Sequence, residues 1–281
     1  DVGGEIISAD SMQVYRYMDI GTAKPDRTQR ATVPHHGIDL VDPDQPFNAS
    51  LFIEEADRII DQLCVRQVPA FVVGGTGLYL KSLMTGIFAV PSRDAAIRAE
   101  LMQRAEADGL SALHEELRRI DPPSADRISC NDSIRIVRAL EVYRTTGRTM
   151  TDWHHDKDAP HTPSVPLELV VLDRPREVLN QRIGQRVRAM LQAGWIEEVR
   201  GLLAEGLTAE LHSFKALGYR QIAHRLIDNA PMDDLEESIA KETRQFAKRQ
   251  RTWFRAMKTA TWLDAEDQRQ AVAFCEKFLQ P

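Results

Sequence analysis

Near the start of the chain, Ile6-Ile7-Ser8-Ala9-Asp10-Ser11-Met12-Gln13-Val14-Tyr15-Arg16 sets a carboxylate, a hydroxyl and a carboxamide directly after a β-rich apolar run. Asp10, Ser11 and Gln13 are expected to emerge where a strand ends and to face one cavity. A carboxylate there can accept a proton, while Ser11 and Gln13 can read the polar edge of a planar base. Asp10 is equally suited to cap the helix that follows. A second chemical position follows another apolar run, where Gly74-Gly75 places Thr76 at the carboxyl end of a strand, the end at which open α/β sheets hold their ligands. A third feature is cationic. Lys241, Arg244, Lys248, Arg251, Arg255 and Lys258 recur at spacings of 3, 4, 3, 4 and 3, so a helix projects all six from one side. Glu237 and Glu242 are too few to neutralise them, and an anionic partner is expected.

The elements that must position these residues can be read from periodicity. Short β-rich runs fall at Glu5–Ala9, Pro69–Gly74, Leu167–Leu172 and Thr261–Leu263, with helical patterns between them, which predicts an α/β core with a mainly parallel sheet. From Ser92 to Pro163 the chain turns charged and helix-forming, with helices predicted over Asp94–Gly109, Ser111–Ile120 and Ser133–Thr146. This predicts a helical insertion, 92–163, in a discontinuous core of 1–91 and 164–281. The stretch Asp156–Pro166, with three prolines, is the expected return linker. The basic stripe lies on a helix predicted from Met232 to Met257.

The 281 residues are 43% hydrophobic and 28% charged, enough for a sizeable core and one large or two unequal domains. No run approaches the roughly 18 to 20 apolar residues of a membrane span, and Asp1-Val2-Gly3-Gly4 lacks the segments of a signal peptide, so a cytoplasmic protein without membrane contact is expected. Cys64, Cys130 and Cys275 have no second cysteine or histidine at zinc-site spacing, and reduced thiols are expected. His35-His36 and the group His154, His155, His161 are more in keeping with surface histidines than with metal ligands. A net charge of -6 argues against nucleic-acid binding over the whole surface, though not on a local basic face.

The first segment, continued by Met18-Asp19-Ile20-Gly21-Thr22-Ala23-Lys24-Pro25, resembles the signature of the tRNA dimethylallyltransferase family. The resemblance runs over nearly the whole chain, through His35-His36-Gly37-Ile38-Asp39, Gly74-Gly75-Thr76-Gly77-Leu78-Tyr79, and Asn131-Asp132-Ser133-Ile134-Arg135-Ile136-Val137-Arg138-Ala139-Leu140-Glu141. It continues in Ala216-Leu217-Gly218-Tyr219-Arg220-Gln221 and Thr243-Arg244-Gln245-Phe246-Ala247-Lys248-Arg249-Gln250. Five such motifs in the family's order are hard to obtain by chance.

The resemblance implies a P-loop NTPase-like core, a dimethylallyl diphosphate donor, Mg2+, and a tRNA whose adenosine 37, in the anticodon loop, is flipped into a channel and prenylated on N6. It implies that Asp10 accepts the proton of the N6 amine and that Thr76 orients the reacting groups. It places tRNA contacts at Asp10, Ser11, Met12, Gln13, Thr76 and Arg98, at Ile134, Arg135, Ile136, Val137 and Arg138, and at Lys215, Ala216, Leu217, Gly218, Tyr219 and Arg220. Arg244, Lys248 and Arg251 of the basic stripe join them. For the departing diphosphate, Arg182 and Arg186, one turn apart, are the candidates, with Arg138 as a possible third; a planar guanidinium can hold two phosphate oxygens at once. The alternative is that they form surface ion pairs with Glu177 or Glu197. A monomer is expected, and no metal ligand is identified.

Two departures stand out. The family's opening strand and Gly-rich phosphate loop, ending in Gly-Lys-Ser or Gly-Lys-Thr, do not precede the signature, and the expectation is that this sequence is an ordered or truncated portion of a longer protein. Tyr17 stands where the family usually has glycine, and its side chain is expected to narrow the turn. Competing functions are an adenylate prenyltransferase acting on free AMP and a non-catalytic tRNA-binding remnant; the long insertion and the basic helix favour a tRNA substrate.

Overall fold

The computed structural model describes residues 3–86, 94–155 and 164–279. The chain divides into two compact units, Asp1–Met84 with Pro163–Pro281, and Thr85–Thr162. The expected start of the insertion at 92, most of the return linker and His161 lie outside the described residues.

The chain opens with β1 (Glu5–Ser8), α1 (Arg27–Thr32), β2 (His35–His36), α2 (Ala49–Val65), β3 (Ala70–Val73) and α3 (Gly77–Thr85). The insertion is helical: α4 (Ala95–Ala107), α5 (Leu110–Ile120), α6 (Pro122–Arg127), α7 (Ser133–Thr146) and α8 (Met150–His155). The chain then continues with β4 (Val170–Asp173), α9 (Arg176–Gln192), α10 (Trp195–Ala204), a 3-10 turn at Ser213–Lys215, α11 (Tyr219–Ile227), α12 (Leu235–Arg255), β5 (Thr261–Asp264) and α13 (Gln268–Leu279).

All strand pairs are parallel. β1 lies between β2 and β3, with Ile6 opposite Phe71 and Ser8 opposite Val73, while β4 pairs separately with β5. Among the described residues the expected core is therefore a three-stranded and a two-stranded sheet. α12 ties their carboxyl ends together. Gln250 Nε2 donates to the Gly75 carbonyl at 2.9 Å, beyond β3, and Arg251 donates to Asp173 at the end of β4 at 2.6 Å. α12 is 21 residues of largely polar sequence with few buried apolar anchors, Leu235, Ile239, Ala240 and Phe254, so it is held by such contacts as well as by burial.

The signature segment is also part of the core. Val14, Tyr15 and Met18 are fully buried among Trp195, Val199, Phe214, Tyr219, Ile222 and Ile239, which fixes the backbone of the polar residues between them. In the insertion, Asp94 caps α4 and Asp132 caps α7 through side-chain bonds to backbone N–H groups, and Gly147, at φ 70, ends α7 in the left-handed conformation that glycine adopts without penalty. Leu101, Leu113, Leu117, Ile136, Val137 and Leu140 form that unit's core.

Candidate active site

Asp10 follows β1 directly, and its two carboxylate oxygens have different surroundings. Oδ1 accepts from the backbone N–H of Met12 at 2.8 Å and of Gln13 at 3.3 Å, closing a turn. Oδ2 has no hydrogen-bond partner among the described residues. No helix follows Asp10 directly, so in place of the expected helix cap its Oδ1 closes a turn, and Oδ2 is left open toward any ligand. Asp10 lines a cavity of about 520 Å³ together with Ser8, Gln13, Ala23, His35 and Gly74. Its negative charge is felt by buried Tyr79, whose phenol is raised above its ordinary range by burial first and then by Tyr15 and Asp10.

Thr76 joins Asp10 at the same strand ends. Its Oγ1 accepts from the Ser11 N–H at 3.0 Å and donates to Ser11 Oγ at 3.3 Å, and its own N–H reaches the Ala9 carbonyl at 3.2 Å. This closeness requires Gly74, since a Cβ there would collide with the Ala9 backbone. Gln13 differs from expectation. Its Nε2 donates to the carbonyls of Thr22 (3.2 Å) and Ala23 (3.3 Å), and its Oε1 accepts from Ser8 Oγ (2.9 Å). Both amide hydrogens are committed, so Gln13 holds the cavity wall rather than offering donors to a base edge.

Lys24 is a residue the sequence did not flag. Its side chain is 1% exposed, and Nζ donates to the Tyr15 carbonyl, Asp19 and Asp39, each at 2.7 Å. Arg30 adds a 2.8 Å bond to Asp39. Burial works to raise the Asp39 pKa, but Lys24 and Arg30 outweigh it and hold the carboxyl below its ordinary range. Tyr17 stands at φ 64 and is 65% exposed.

The cationic residues sort by burial and partner. Arg182 and Arg186 are exposed on α9 and form no ion pair among the described residues; Glu197 pairs instead with Arg200 at 3.3 Å. On α12, Arg251 is paired with Asp173 and Arg244 with Glu237 at 2.5 Å, while Lys258 lies beyond the helix end, so the six-residue stripe is shortened and partly neutralised. Lys248 and Arg255 remain exposed. Arg249, outside the stripe, faces with Arg220, Lys241 and Gln245 into a polar cleft of about 450 Å³. Its only sequence signal is its place in the 243–250 motif.

Burial divides the residues expected to contact tRNA. Ile136 and Val137 are fully buried in the insertion core, which leaves Ile134, Arg135 and Arg138 of that segment to reach solvent by their side chains. Ala216, Gly218 and Tyr219 are likewise buried, whereas Lys215 and Arg220 are exposed. Within the insertion, Arg98 and Arg138 share the fully buried Glu141, at 3.4 and 3.2 Å. Met12, Ser11 and Thr76 are half-buried at the cavity's strand ends. No group of three or more His, Cys, Asp or Glu that could hold a metal ion occurs among the described residues. No helix among them is long and apolar enough to cross a membrane.

A family model described as IPP transferase matches residues 13–257. A tRNA dimethylallyltransferase of Syntrophobacter fumaroxidans is 47% identical over 275 residues, covering 97% of this chain and 79% of that protein. The tRNA dimethylallyltransferase of Methylococcus capsulatus is 47% identical over 262 residues, covering 93% and 84%. Among solved structures, the tRNA isopentenylpyrophosphate transferase of Bacillus halodurans superposes with a TM-score of 0.70 at 34% identity, covering 98% of this chain and 88% of that one. A eukaryotic dimethylallyltransferase acting on tRNA superposes with a TM-score of 0.81 at 26% identity, covering 98% and 73%.

Proposed function

The chain belongs to the IPP transferase family, and from that premise we propose which of its residues carry out the transfer. It is a prenyl-transferring enzyme with a P-loop-like α/β fold, and it modifies tRNA. The donor is dimethylallyl diphosphate, and the acceptor is the N6 amine of adenosine 37, presented by the anticodon stem-loop in the cytoplasm.

An adenine amine is a weak nucleophile because its lone pair is delocalised into the ring. It becomes acidic only as the new C–N bond forms, which is when a carboxylate is useful. Asp10 takes that proton on Oδ2 while Oδ1 stays locked in the turn, and Thr76 fixes the turn through Ser11. The allylic C–O bond breaks as the C–N bond forms, and the electron pair leaves with the diphosphate toward Arg182 and Arg186. Mg2+, bound together with the donor, would offset the charge growing on the diphosphate. An ion carried on phosphate oxygens and water needs at most one or two protein oxygens, so the lack of a three-ligand cluster among the described residues is compatible with it, and no protein ligand is assigned.

The observation that carries this reading is the divided Asp10 carboxylate, one oxygen bonded into the turn and the other without a partner among the described residues, at a cavity shared with the turn that holds Thr76. Extrusion of an anticodon-loop base costs less than extrusion from a duplex, which suits a cavity of this size. Incubation of the full-length protein with labelled dimethylallyl diphosphate and either an anticodon stem-loop RNA or AMP tests the reading. Label in the RNA adenosine is expected; label in AMP alone would overturn it.

A further inference from the structure

The loop over residues 17–24 forms part of the wall of the Asp10 cavity through Ala23, and side chains hold its backbone from two sides. On one side Gln13 takes the Thr22 and Ala23 carbonyls. On the other, Glu198 in the first turn of α10 gathers three successive backbone N–H groups. Asp19 and Ile20 donate to Oε2 at 3.0 and 2.8 Å, and Gly21 donates to Oε1 at 3.4 Å. Consecutive N–H groups wrapped in this way form an anion-binding nest, here filled by the protein's own carboxylate.

A fourth donor reaches the same carboxylate from another motif. The buried Tyr219 hydroxyl donates to Glu198 Oε1 at 2.5 Å, and burial followed by the Glu198 charge raises its pKa above the ordinary phenol range. Trp195 fills the space beneath both segments, since a Cβ on Gly21 or on Gly218 would collide with its ring. No cation pairs with Glu198 among the described residues, so its charge serves neutral N–H and O–H donors. The loop needs such restraint, because Tyr17 at φ 64 and Ala23 at φ 49 hold left-handed conformations that cost non-glycine residues about 1–2 kcal/mol each.

We propose that Glu198 is a positioning residue of the prenyl transfer: one carboxylate fastens the wall of the acceptor cavity to the segment 215–220, setting the geometry in which the acceptor meets Asp10. The inference rests on the proposed roles of Asp10 and of Lys215 and Arg220. Glutamine at 198 would keep the shape but replace one acceptor oxygen by an NH2, leaving part of the four-donor set unsatisfied. Tyr219→Phe would remove a single donor and keep the three backbone bonds.

The test compares full-length wild type with Glu198→Gln and Tyr219→Phe, by steady-state transfer to anticodon stem-loop RNA per folded molecule and by amide exchange at residues 19–21. Glu198→Gln is expected to lower kcat/KM for the RNA by roughly 10- to 100-fold, as misplacement by about an ångström does. The KM for dimethylallyl diphosphate should stay within about twofold, and exchange at 19–21 should quicken by about tenfold or more. Tyr219→Phe should fall between that variant and wild type, and serves as the test if Glu198→Gln folds poorly. Wild-type kcat/KM and exchange in these variants, or a loss equal to the unfolded fraction alone, would overturn the proposal. If wild type itself prenylates AMP and not RNA, the functional reading fails, while the exchange result still decides whether Glu198 holds the loop.

Discussion

Tyr17 shows how much a single backbone angle can explain. Its φ of 64 is the left-handed region that glycine enters freely, which accounts for the glycine usual at this place in the family it resembles. Tyr17→Gly should raise stability by about 0.5–1 kcal/mol in urea denaturation, the relief of strain exceeding the added chain entropy; a lower midpoint would show that the exposed ring contributes more than the strain costs. Asp10 drew attention in the sequence because a carboxylate directly after an apolar run has few local uses; its Oδ1 closes a turn there, and its role as proton acceptor is the proposal that a kinetic measurement must test. The place of Gln13 was not legible, because its partners are carbonyls of a loop whose course depends on left-handed Ala23. Nor was Glu198, an ordinary acid in the first turn of a helix, whose backbone partners lie 177 to 179 residues away in sequence.

At the scale of elements, the strands were readable where apolar runs meet glycine, as at β3 and Gly74, while two-residue β2 carries no periodicity to detect. The helix bearing the basic stripe was readable, but its pairing was not. Arg251 is turned to Asp173 because α12 lies across the carboxyl end of β4, a tertiary fact. Lys248, exposed and without such a partner among the described residues, is therefore the better probe of RNA contact. Lys248→Ala should weaken stem-loop RNA binding and reduce the slope of log K against log salt by roughly 0.7–0.9, the value for one phosphate contact; an unchanged slope would assign this face to solvent. Gly74→Ala should separate the tips of β1 and β3, because the new Cβ meets the Ala9 backbone, and with them Thr76 from Ser11. Its expected result is a lowered melting temperature with a loss of turnover, and wild-type values in both measurements would contradict that packing.

For the whole molecule, the acid excess of the chain and its basic helix are reconciled by distribution: several carboxylates away from that helix are committed to turns, helix caps and the buried Lys24. Asp39 is one of them. Its pKa is depressed in the folded state, so the folded form binds fewer protons than the unfolded one near the ordinary value of about 3.9. Its contribution to stability is present above that value and lost as the pH falls through the lower folded one. The urea midpoint should hold from neutrality to about pH 5 and then fall, with a shallower acid fall in Asp39→Asn; identical acid limbs would show that the Lys24–Asp39–Arg30 cluster contributes nothing. Lys24 and the Glu198 bonds hold the loop over residues 17–24, which lines the cavity beside Asp10 through Ala23, together with the strand tips. The most direct measurement is single-turnover prenyl transfer to stem-loop RNA by Asp10→Ala beside wild type, with RNA affinity measured on the same samples. A rate lowered by about 10²-fold or more with affinity little changed is expected of a lost proton acceptor, and a rate equal to wild type would remove Asp10 from the chemistry.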